Sequence, residues 1–244
     1  MSLPEIASQE QWLAARKALL VKEKELRRAQ DALNAERRRL PMVRVDKPYA
    51  FEGPDGTVGM LDLFGAGRQL VLQHFMFDPS WDEGCKSCTA GVDELSDKLL
   101  AHLAARDTRY VVVARAPYPK IAAYAEKRGW TLPFFSSYGS DFNYDFHVSM
   151  DASVAPIYFN YRDLDELREA GQGWIADGPM EQPGMSCFLR DGDEVFHTYS
   201  TFARGVDFGG AYGLLDLTAL GRQEEWEEPK GRAVNAGAAI PQFE

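Results

Sequence analysis

Residues 70–92 read LVLQHFMFDPSWDEGCKSCTAGV and contain the features that decide the fold. From Leu70 to Phe77 the residues are almost all apolar, a length and content typical of a strand buried on both faces. A loop over 78–84 leads to Cys85-Lys-Ser-Cys88, and one amphipathic helix is predicted to follow, with Val92, Leu95, Leu99, Leu100 and Leu103 on its apolar side. The sequence therefore predicts a buried strand that leads into a helix through a CxxC pair.

The next segments repeat this order of strand and helix. Tyr110–Ala114 is predicted as a second buried strand, it ends at Arg115-Ala-Pro117, and a helix is predicted over 118–128. Two strands joined through a helix indicate a parallel pair with a right-handed crossover. The sequence thus predicts an α/β fold.

Further along the chain, a hairpin completes the predicted sheet. Residues 186–190 and 195–200 alternate in character and flank the turn Asp191-Gly-Asp193. Residues 134–183 are rich in aromatic residues, glycine and proline, and we interpret them as an insertion with one short helix near 164–169. A final helix is expected over 210–217, and residues 221–244 are expected to form a polar tail.

The N-terminal segment, residues 1–41, is predicted to be one long helical arm. Ser8 is the expected N-cap with Gln11 as its capping-box partner, and Pro41 ends the helix. Apolar residues recur every seven positions on one stripe: Trp12, Leu19, Leu26, Leu33 and Leu40. A stripe of this kind packs on the chain's own body or on a second subunit, and both interpretations stay open.

Composition restricts the functional classes. The 244 residues carry a net charge of −10, which disfavours binding to nucleic acid or to an anionic membrane. We find no apolar stretch long enough to span a bilayer and no pattern typical of a secretory signal, so we expect a cytoplasmic protein. Three cysteines in a reducing compartment favour a catalytic, sensing or metal-binding pair over a structural disulfide.

The CxxC pair indicates redox chemistry. Cys85 is placed at a helix N-terminus, where unpaired backbone N–H groups stabilise a thiolate, and Cys88 lies one turn further on, where its thiol can resolve a mixed disulfide. Lys86 is expected to stabilise the Cys85 thiolate, whereas Asp82 and Glu83 are expected to oppose it. The alternatives are a buried packing role or a zinc site.

A zinc site would need two more ligands, from Cys187 and one of His74, His102, His147 and His197. No second CxxC supports it, so we expect no metal, and no organic cofactor is expected because no glycine-rich phosphate loop follows a strand.

Other candidate residues surround the predicted site. Arg115 follows a buried parallel strand and is expected at the carboxyl edge of the sheet, where it would bind an anionic group or form a salt bridge. Trp81 would form a wall of the site or pack the loop. In the loop 141–147, Asp145 and His147 would relay protons or serve as structural hydrogen-bonding groups. His74 and His197 are expected to be hydrogen-bonded within the core or an interface.

Several longer strings carry a resemblance to known proteins. They are residues 12–20, 74–77, 84–88, 115–117, 129–130, 136–137, 141–147, 196–200, 203–205 and 215–218. With these, the chain resembles the thioredoxin superfamily, including its peroxiredoxin-like branch, and a mostly bacterial family described as predicted dithiol–disulfide oxidoreductases. The resemblance implies a thioredoxin-like domain over 42–220, with a central mixed sheet flanked by helices.

The resemblance also implies roles for particular residues. Cys85 would be the nucleophile and Cys88 the resolving thiol. Thioredoxins carry a cis-proline before the hairpin strand, where this chain has Gly184-Met-Ser-Cys187 with Pro183 slightly upstream. Cys187 would then lie near Cys85, either as a third redox partner or as a small buried residue.

Three functions are therefore open. The first is a thiol–disulfide oxidoreductase that acts on a protein or small-molecule disulfide and is recycled by a thiol reductant. The second is a peroxiredoxin-like thiol peroxidase. The third is a non-enzymatic dimeric interaction protein, in which the N-terminal helix joins two copies.

Overall fold

A computed structural model describes residues 4–104 and 107–202 and the single residues Glu225 and Lys230. The helix expected over 210–217 lies outside the described residues, as does the tail 221–244 apart from those two positions. The chain divides into two compact units, one made of 1–41 with 214–237 and the other of 42–213 with 238–244.

In the described ranges, the helices are α1 (Gln9–Arg37), α2 (Lys86–Asp93), α3 (Asp97–Ala104), α4 (Tyr118–Arg128), α5 (Phe142–Asp145) and α6 (Leu164–Glu169). The strands are β1 (Val43–Arg44), β2 (Ala50–Gly53), β3 (Gly56–Gly59), β4 (Gln69–His74), β5 (Thr108–Ala114), β6 (Phe134–Ser136), β7 (Ser149–Met150), β8 (Tyr158–Phe159), β9 (Arg162–Asp163), β10 (Met180–Glu181), β11 (Gly184–Asp191) and β12 (Glu194–Phe202).

The N-terminal unit contains α1, which begins as the sequence predicts. The Ser8 hydroxyl accepts the Gln11 backbone N–H at 3.2 Å, and the Gln11 side chain accepts the Ser8 N–H at 2.9 Å. This reciprocal pair is a capping box, which satisfies two backbone donors at the start of the helix. The stripe of Trp12, Leu19, Leu26, Leu33 and Leu40 is exposed.

None of the described helices is long and apolar enough to span a membrane.

The second unit is built on an eight-stranded sheet in the order β1-β12-β11-β4-β5-β6-β2-β3. β4 pairs in parallel with β5, and β5 with β6, whereas β11 pairs antiparallel with both β4 and β12. The strands β12-β11-β4-β5 form the core of a thioredoxin-like fold, with α2 and α3 in the crossover between the two parallel strands. This confirms the predicted α/β architecture with a central mixed sheet.

The two faces of the sheet carry separate cores. Leu70, Leu72 and Phe142 belong to one cluster, and Phe75, Val112 and Cys88 belong to the cluster on the face that α2 covers. The expected strand over 70–77 ends at His74, and alternate positions of β4 are only partly buried. The prediction of a strand buried on both faces was therefore wrong for this part of β4.

After the cysteine pair, the structure has two helices where the sequence predicts one, so this prediction was also wrong. The chain leaves helical geometry between α2 and α3, and the Ser96 hydroxyl accepts the Leu99 backbone N–H at 3.2 Å. Serine in this position caps a new helix, because its hydroxyl replaces the missing backbone acceptor.

Residues 134–183, expected as an insertion, contribute β6 to the main sheet and build a third cluster around Val148, Leu167 and Ile175.

Candidate active site

Cys85 stands at the point where the chain enters α2. It occupies the N-cap position with φ −55° and ψ 132°, outside helical geometry. Its N–H donates to the Met76 carbonyl at 2.9 Å, and its own carbonyl accepts the Thr89 N–H at 2.9 Å. These bonds join the first turn of α2 to the segment that follows β4, so the Cys85 thiol lies at a helix N-terminus as predicted.

A close backbone approach precedes the pair at Gly84. A Cβ atom at this position would lie 2.4 Å from the Phe75 ring and 3.1 Å from the Tyr124 ring. Only glycine therefore lets the loop pass this close to the core immediately before Cys85.

The two thiols have opposite electrostatic environments. Cys85 is partly exposed, and its pKa falls from the roughly 8.5 of a free thiol to about 6. The largest cause is a hydrogen bond from the Cys88 thiol, and N–H groups of Cys88 and Ser87 add to it against the opposing effect of burial. These hydrogen bonds favour the thiolate form of Cys85.

Cys88 is buried, with 6% of its surface exposed. Its pKa is raised well above the ordinary value, first because its thiol is the donor to Cys85 and then because of burial. Tyr110 belongs to the same buried cluster, and its pKa is raised first by burial and then by the nearby Cys88. Cys88 is therefore the protonated, protected member of the pair.

The charged residues that were expected to change the pKa of Cys85 contribute little to it. Lys86, Asp82 and Glu83 are exposed, and Glu83 pairs with Lys127 at 2.6 Å. None of the three is among the largest contributors to the Cys85 pKa. The thiolate depends on short-range hydrogen bonds, because solvent screens exposed charges.

Apolar side chains lie on the same side of the sheet as the pair. Trp81, Met76 and Met185 pack against the same core cluster as the partly exposed Cys85. Trp81 belongs to a turn in which its N–H donates to the Asp78 carbonyl at 3.0 Å. The structure thus brings Trp81 to the side of the sheet that carries the pair.

Arg115 lies at the carboxyl edge of the sheet, as predicted, and forms ion pairs. Its Nε donates to Glu181 at 2.7 Å, and its Nη2 pairs with Asp78. Burial opposes the charge of Arg115, but the charge of Glu181 and the hydrogen bond to it raise the pKa of the guanidinium. Arg115 therefore ties the start of the 78–84 loop to the segment before β11.

The partners of Arg115 were missed by the sequence analysis. Glu181 is 4% exposed, and its carboxylate also accepts the Ser149 hydroxyl at 2.8 Å. Its pKa is raised by burial, although Arg115 partly offsets this effect. The Oδ1 of Asp78 accepts the Ser80 N–H at 2.8 Å. The sequence Asp-Pro-Ser is typical of such a turn, so the position of Asp78 in a turn was predictable. Glu181 had none, because no periodic pattern surrounds it.

Cys187 lies apart from the strand end that leads to Cys85. It faces Val71 of β4, whereas Gly184 faces His74 at the end of that strand, a separation of three residues or about 10 Å along the strand. Cys187 is partly exposed, so it is not the small buried residue that one of its two interpretations predicts. Pro183 directly precedes β11.

Among the described side chains, which exclude that of His102, the candidate zinc ligands and the loop 141–147 do not join the thiol pair in a metal site. Within residues 4–104 and 107–202, no group of three or more His, Cys, Asp and Glu side chains is placed to hold a metal ion. Asp145 accepts hydrogen bonds from Lys47 at 2.7 Å and from the Tyr49 hydroxyl at 2.7 Å. This loop packs on the sheet face opposite α2 through Phe142 and Phe146, which supports its structural interpretation.

Fold and site together define a class, namely a thioredoxin-like protein with two thiols where the first crossover helix begins. The sequence profile of one family matches residues 1–237, and the chain belongs to this family, described as "Bacterial protein of unknown function (DUF899)". No curated protein matches the chain significantly.

Solved structures with a similar chain path include peroxiredoxins. Peroxidoxin BcpB from Mycobacterium tuberculosis is 17% identical with a TM-score of 0.40, and the match covers 65% of this chain and 86% of that one. A mutant PrxQ from Xylella fastidiosa is 12% identical with a TM-score of 0.44, covering 70% and 87%. Peroxiredoxin Q from Xanthomonas campestris is 11% identical with a TM-score of 0.42, covering 69% and 88%.

Proposed function

We propose that the protein is a dithiol–disulfide oxidoreductase in which Cys85 attacks and Cys88 resolves. The observation that supports this most is the asymmetry of the pair. The partly exposed thiol at the helix N-terminus has a pKa of about 6, and the buried thiol one turn later has a raised pKa. A nucleophile that is ionised near neutral pH beside a protected second thiol is the arrangement that exchange requires.

The first step forms a mixed disulfide. The Cys85 thiolate attacks one sulfur of a substrate disulfide, a new S–S bond forms, and the second substrate sulfur leaves as a thiolate that takes a proton from water. Attack needs access for the substrate to Cys85, which its partial exposure provides.

The second step closes the pair. Once the Cys85 sulfur is bonded, it no longer accepts the Cys88 hydrogen bond or carries charge, so the largest cause of the raised Cys88 pKa disappears and the pKa falls, although burial still opposes ionisation. Cys88 then loses its proton and attacks the Cys85 sulfur, which releases the second substrate thiol. The substrate gains two electrons, the pair is oxidised to a disulfide, and a thiol reductant returns it to the dithiol state.

Arg115 acts in this proposal as a positioning residue. Its ion pairs hold Asp78 at the start of the loop that carries Trp81 and ends at Cys85. A fixed loop keeps the Cys85 backbone in place at the helix N-terminus, where the N–H groups of Ser87 and Cys88 reach its sulfur. Trp81 and Met76 provide an apolar wall for the groups next to a substrate disulfide.

The test is to trap the mixed disulfide. In a Cys187→Ser background, which leaves the pair intact, the Cys88→Ser variant is incubated with glutathione disulfide and its mass is measured. We expect one glutathione bonded to Cys85 in this variant and an internal disulfide when Cys88 is present. A Cys85→Ser control should acquire no glutathione. Failure of Cys85 to form the adduct near neutral pH would refute the proposal.

A second candidate is a thiol peroxidase. Cys85 has a lowered pKa, is only partly exposed and packs on the same core cluster as Trp81 and Met76, a setting that a small peroxide enters more readily than a folded protein does. The thiolate would attack the peroxide O–O bond, form a sulfenic acid and release an alcohol or water, and Cys88 would condense with it to a disulfide and water. Consumption of hydrogen peroxide coupled to dithiothreitol, without reduction of insulin disulfides, would favour this function.

We also propose that α1 joins two copies of the chain. Four apolar side chains of α1 at seven-residue intervals, and Leu40 just beyond its end, are each at least half exposed, and a repeat of this kind packs helix against helix. A dimer of this sort is compatible with either redox function. If Cys85 proved unreactive, formation of this dimer would be the remaining proposed function.

A further inference from the structure

A cavity of about 330 Å³ lies beside the sheet on the face opposite α2. Its walls come from residues 43–47 and Tyr49, from residues 145–147 at and after the end of α5, from Tyr161 and from β12. All of these belong to the second unit of the chain. The volume falls at the lower end of the range for small-molecule sites.

The charged groups of the cavity are already paired. Arg44 binds Asp46 at 2.7 Å and Glu194 at 2.9 Å, and Lys47 binds Asp145 at 2.7 Å and Asp141 at 2.8 Å. The cavity therefore has no surplus charge with which to hold an ionic ligand, since an ion would have to displace one of these partners.

Rings and apolar side chains form much of the remaining wall. Val43, Val45, Phe146, Phe202 and Tyr49 line the cavity. Phe146 meets the His197 ring edge to face at 5.4 Å, and Tyr161 meets Phe202 at 5.6 Å. Such walls favour a flat, ring-containing ligand, because aromatic faces and edges attract one another at these distances.

His147 provides a polar group for such a ligand. Its ring lies 4.9 Å from the Tyr158 ring in a tilted arrangement, and in the described part of the chain no hydrogen bond reaches its imidazole. Burial lowers its pKa, so the ring is neutral near pH 7 and offers one donor and one acceptor. A hydroxyl group can use either of them.

Backbone strain is concentrated at the same place. Among the described residues other than glycine, positive φ occurs at Asp107, His147, Asn160 and Tyr161. His147 and Tyr161 line the cavity, and Asn160 precedes Tyr161. Conformations of this kind occur preferentially where a ligand site requires a particular side-chain position.

A series of hydrogen bonds fixes the imidazole of His197, the second histidine that lines the cavity. His197 Nε2 bonds with the Ser200 hydroxyl at 2.7 Å, Ser200 with Ser186 at 2.7 Å, and Ser186 with His74 Nε2 at 2.8 Å. The series runs across β12, β11 and β4 inside the protein. It holds the His197 ring in one orientation at the cavity wall, which preorganises the site.

We propose that this cavity is a second ligand site, separate from the thiol pair, and that it binds a small uncharged phenol or aromatic alcohol. The ring of the ligand lies among Phe146, Tyr161 and His197, and its hydroxyl group bonds to His147.

The test uses p-cresol as the probe, with toluene and benzoate as comparisons, and follows the imidazole NMR signals of the full-length protein near neutral pH. We expect saturable binding of p-cresol that shifts the His147 and His197 signals. Toluene should bind about tenfold more weakly because it lacks the hydroxyl, and benzoate should bind more weakly because the cavity has no spare cation. Tighter binding of benzoate than of p-cresol would overturn the proposal.

Two variants locate the site. Val43→Trp changes an exposed side chain on β1 that lines the cavity and should abolish the shifts, whereas the matched control Val154→Trp, at an exposed position outside the cavity, should keep them. His147→Phe keeps a ring and should remove the preference for p-cresol over toluene. Binding that survives in Val43→Trp, or no saturable binding at all, would refute the site. Cys85→Ser should bind normally, so this result is independent of the redox chemistry.

Discussion

At the scale of single residues, Cys85 and Cys88 have the same side chain in different surroundings. The N–H groups at the start of α2 and the Cys88 thiol stabilise charge on Cys85, while burial and the neighbouring thiolate disfavour charge on Cys88. The spacing of the pair and the apolar run before it predict the lowered pKa of Cys85 from the sequence, but not the burial and raised pKa of Cys88. The partners of Arg115 are not predictable in this way, because Asp78 and Glu181 are brought together only by tertiary structure.

The Arg115 network gives a prediction for stability. Arg115→Met leaves the buried Glu181 carboxylate without its cation, and we expect the free energy of unfolding to fall by about 3 kcal/mol near neutral pH. Because burial raises the pKa of Glu181, the carboxyl is the more readily protonated in the folded state, and the loss should shrink as the pH falls from about 7.5 to about 5.5. Urea unfolding at both pH values measures this.

The control for that change is Arg168→Met. Arg168 and Asp165 form an exposed pair, with side chains 61% and 87% exposed. Its removal should change stability by less than about 1 kcal/mol at either pH. Equal effects of the two variants would contradict the role given to Arg115.

At the scale of elements, the site depends on how the loop enters α2. Sequence patterns predict the strand, the loop and the helix start here, because periodicity and capping are local properties. They do not predict the break between α2 and α3, since apolar positions such as Val92, Leu95 and Leu99 fit one continuous helix. The Ser96 cap that divides it competes locally with the helical pattern.

The close approach of Gly84 to the core leads to a prediction for stability and for the reactivity of Cys85. Gly84→Ala places a methyl group within 2.4 Å of the Phe75 ring, so the loop must shift. We expect a loss of about 1 to 3 kcal/mol of stability and slower alkylation of Cys85 by iodoacetamide, because its sulfur leaves the N–H groups of α2.

The matched control is Gly91→Ala, within α2, where a Cβ atom would have no neighbour within 4 Å. This change should raise stability by about 0.5 to 1 kcal/mol through helix propensity and leave alkylation unchanged. Normal alkylation of Gly84→Ala would show that the close approach to Phe75 does not position the thiol.

At the scale of the whole molecule, the second unit uses the two faces of one sheet differently. One face carries α2 and the thiol pair, and the other carries the cavity beside β12. The sequence predicts the α/β architecture and the hairpin of β11 and β12. It does not predict the cavity, because Lys47, His147 and His197 come from three distant parts of the chain, and no local pattern links them.

The proposed dimer is tested through the stripe on α1. The double variant Leu19→Gln and Leu26→Gln should shift the protein toward the monomer in light scattering after size exclusion, because it replaces two apolar contacts. Lys17→Gln with Lys24→Gln has the same spacing on exposed positions off the stripe and should leave the mass unchanged. An unchanged mass in both variants would argue against α1 as the dimer contact.

The most direct measurement for the redox account is a titration of the Cys85 thiolate by its ultraviolet absorbance, made on the reduced Cys187→Ser protein. We predict one thiol that ionises at a pH of about 6, and an upward shift of that midpoint in Cys88→Ala, which removes the strongest hydrogen bond to the thiolate. A Cys85 thiol that ionises at the ordinary value of about 8.5, with or without Cys88, would contradict the account.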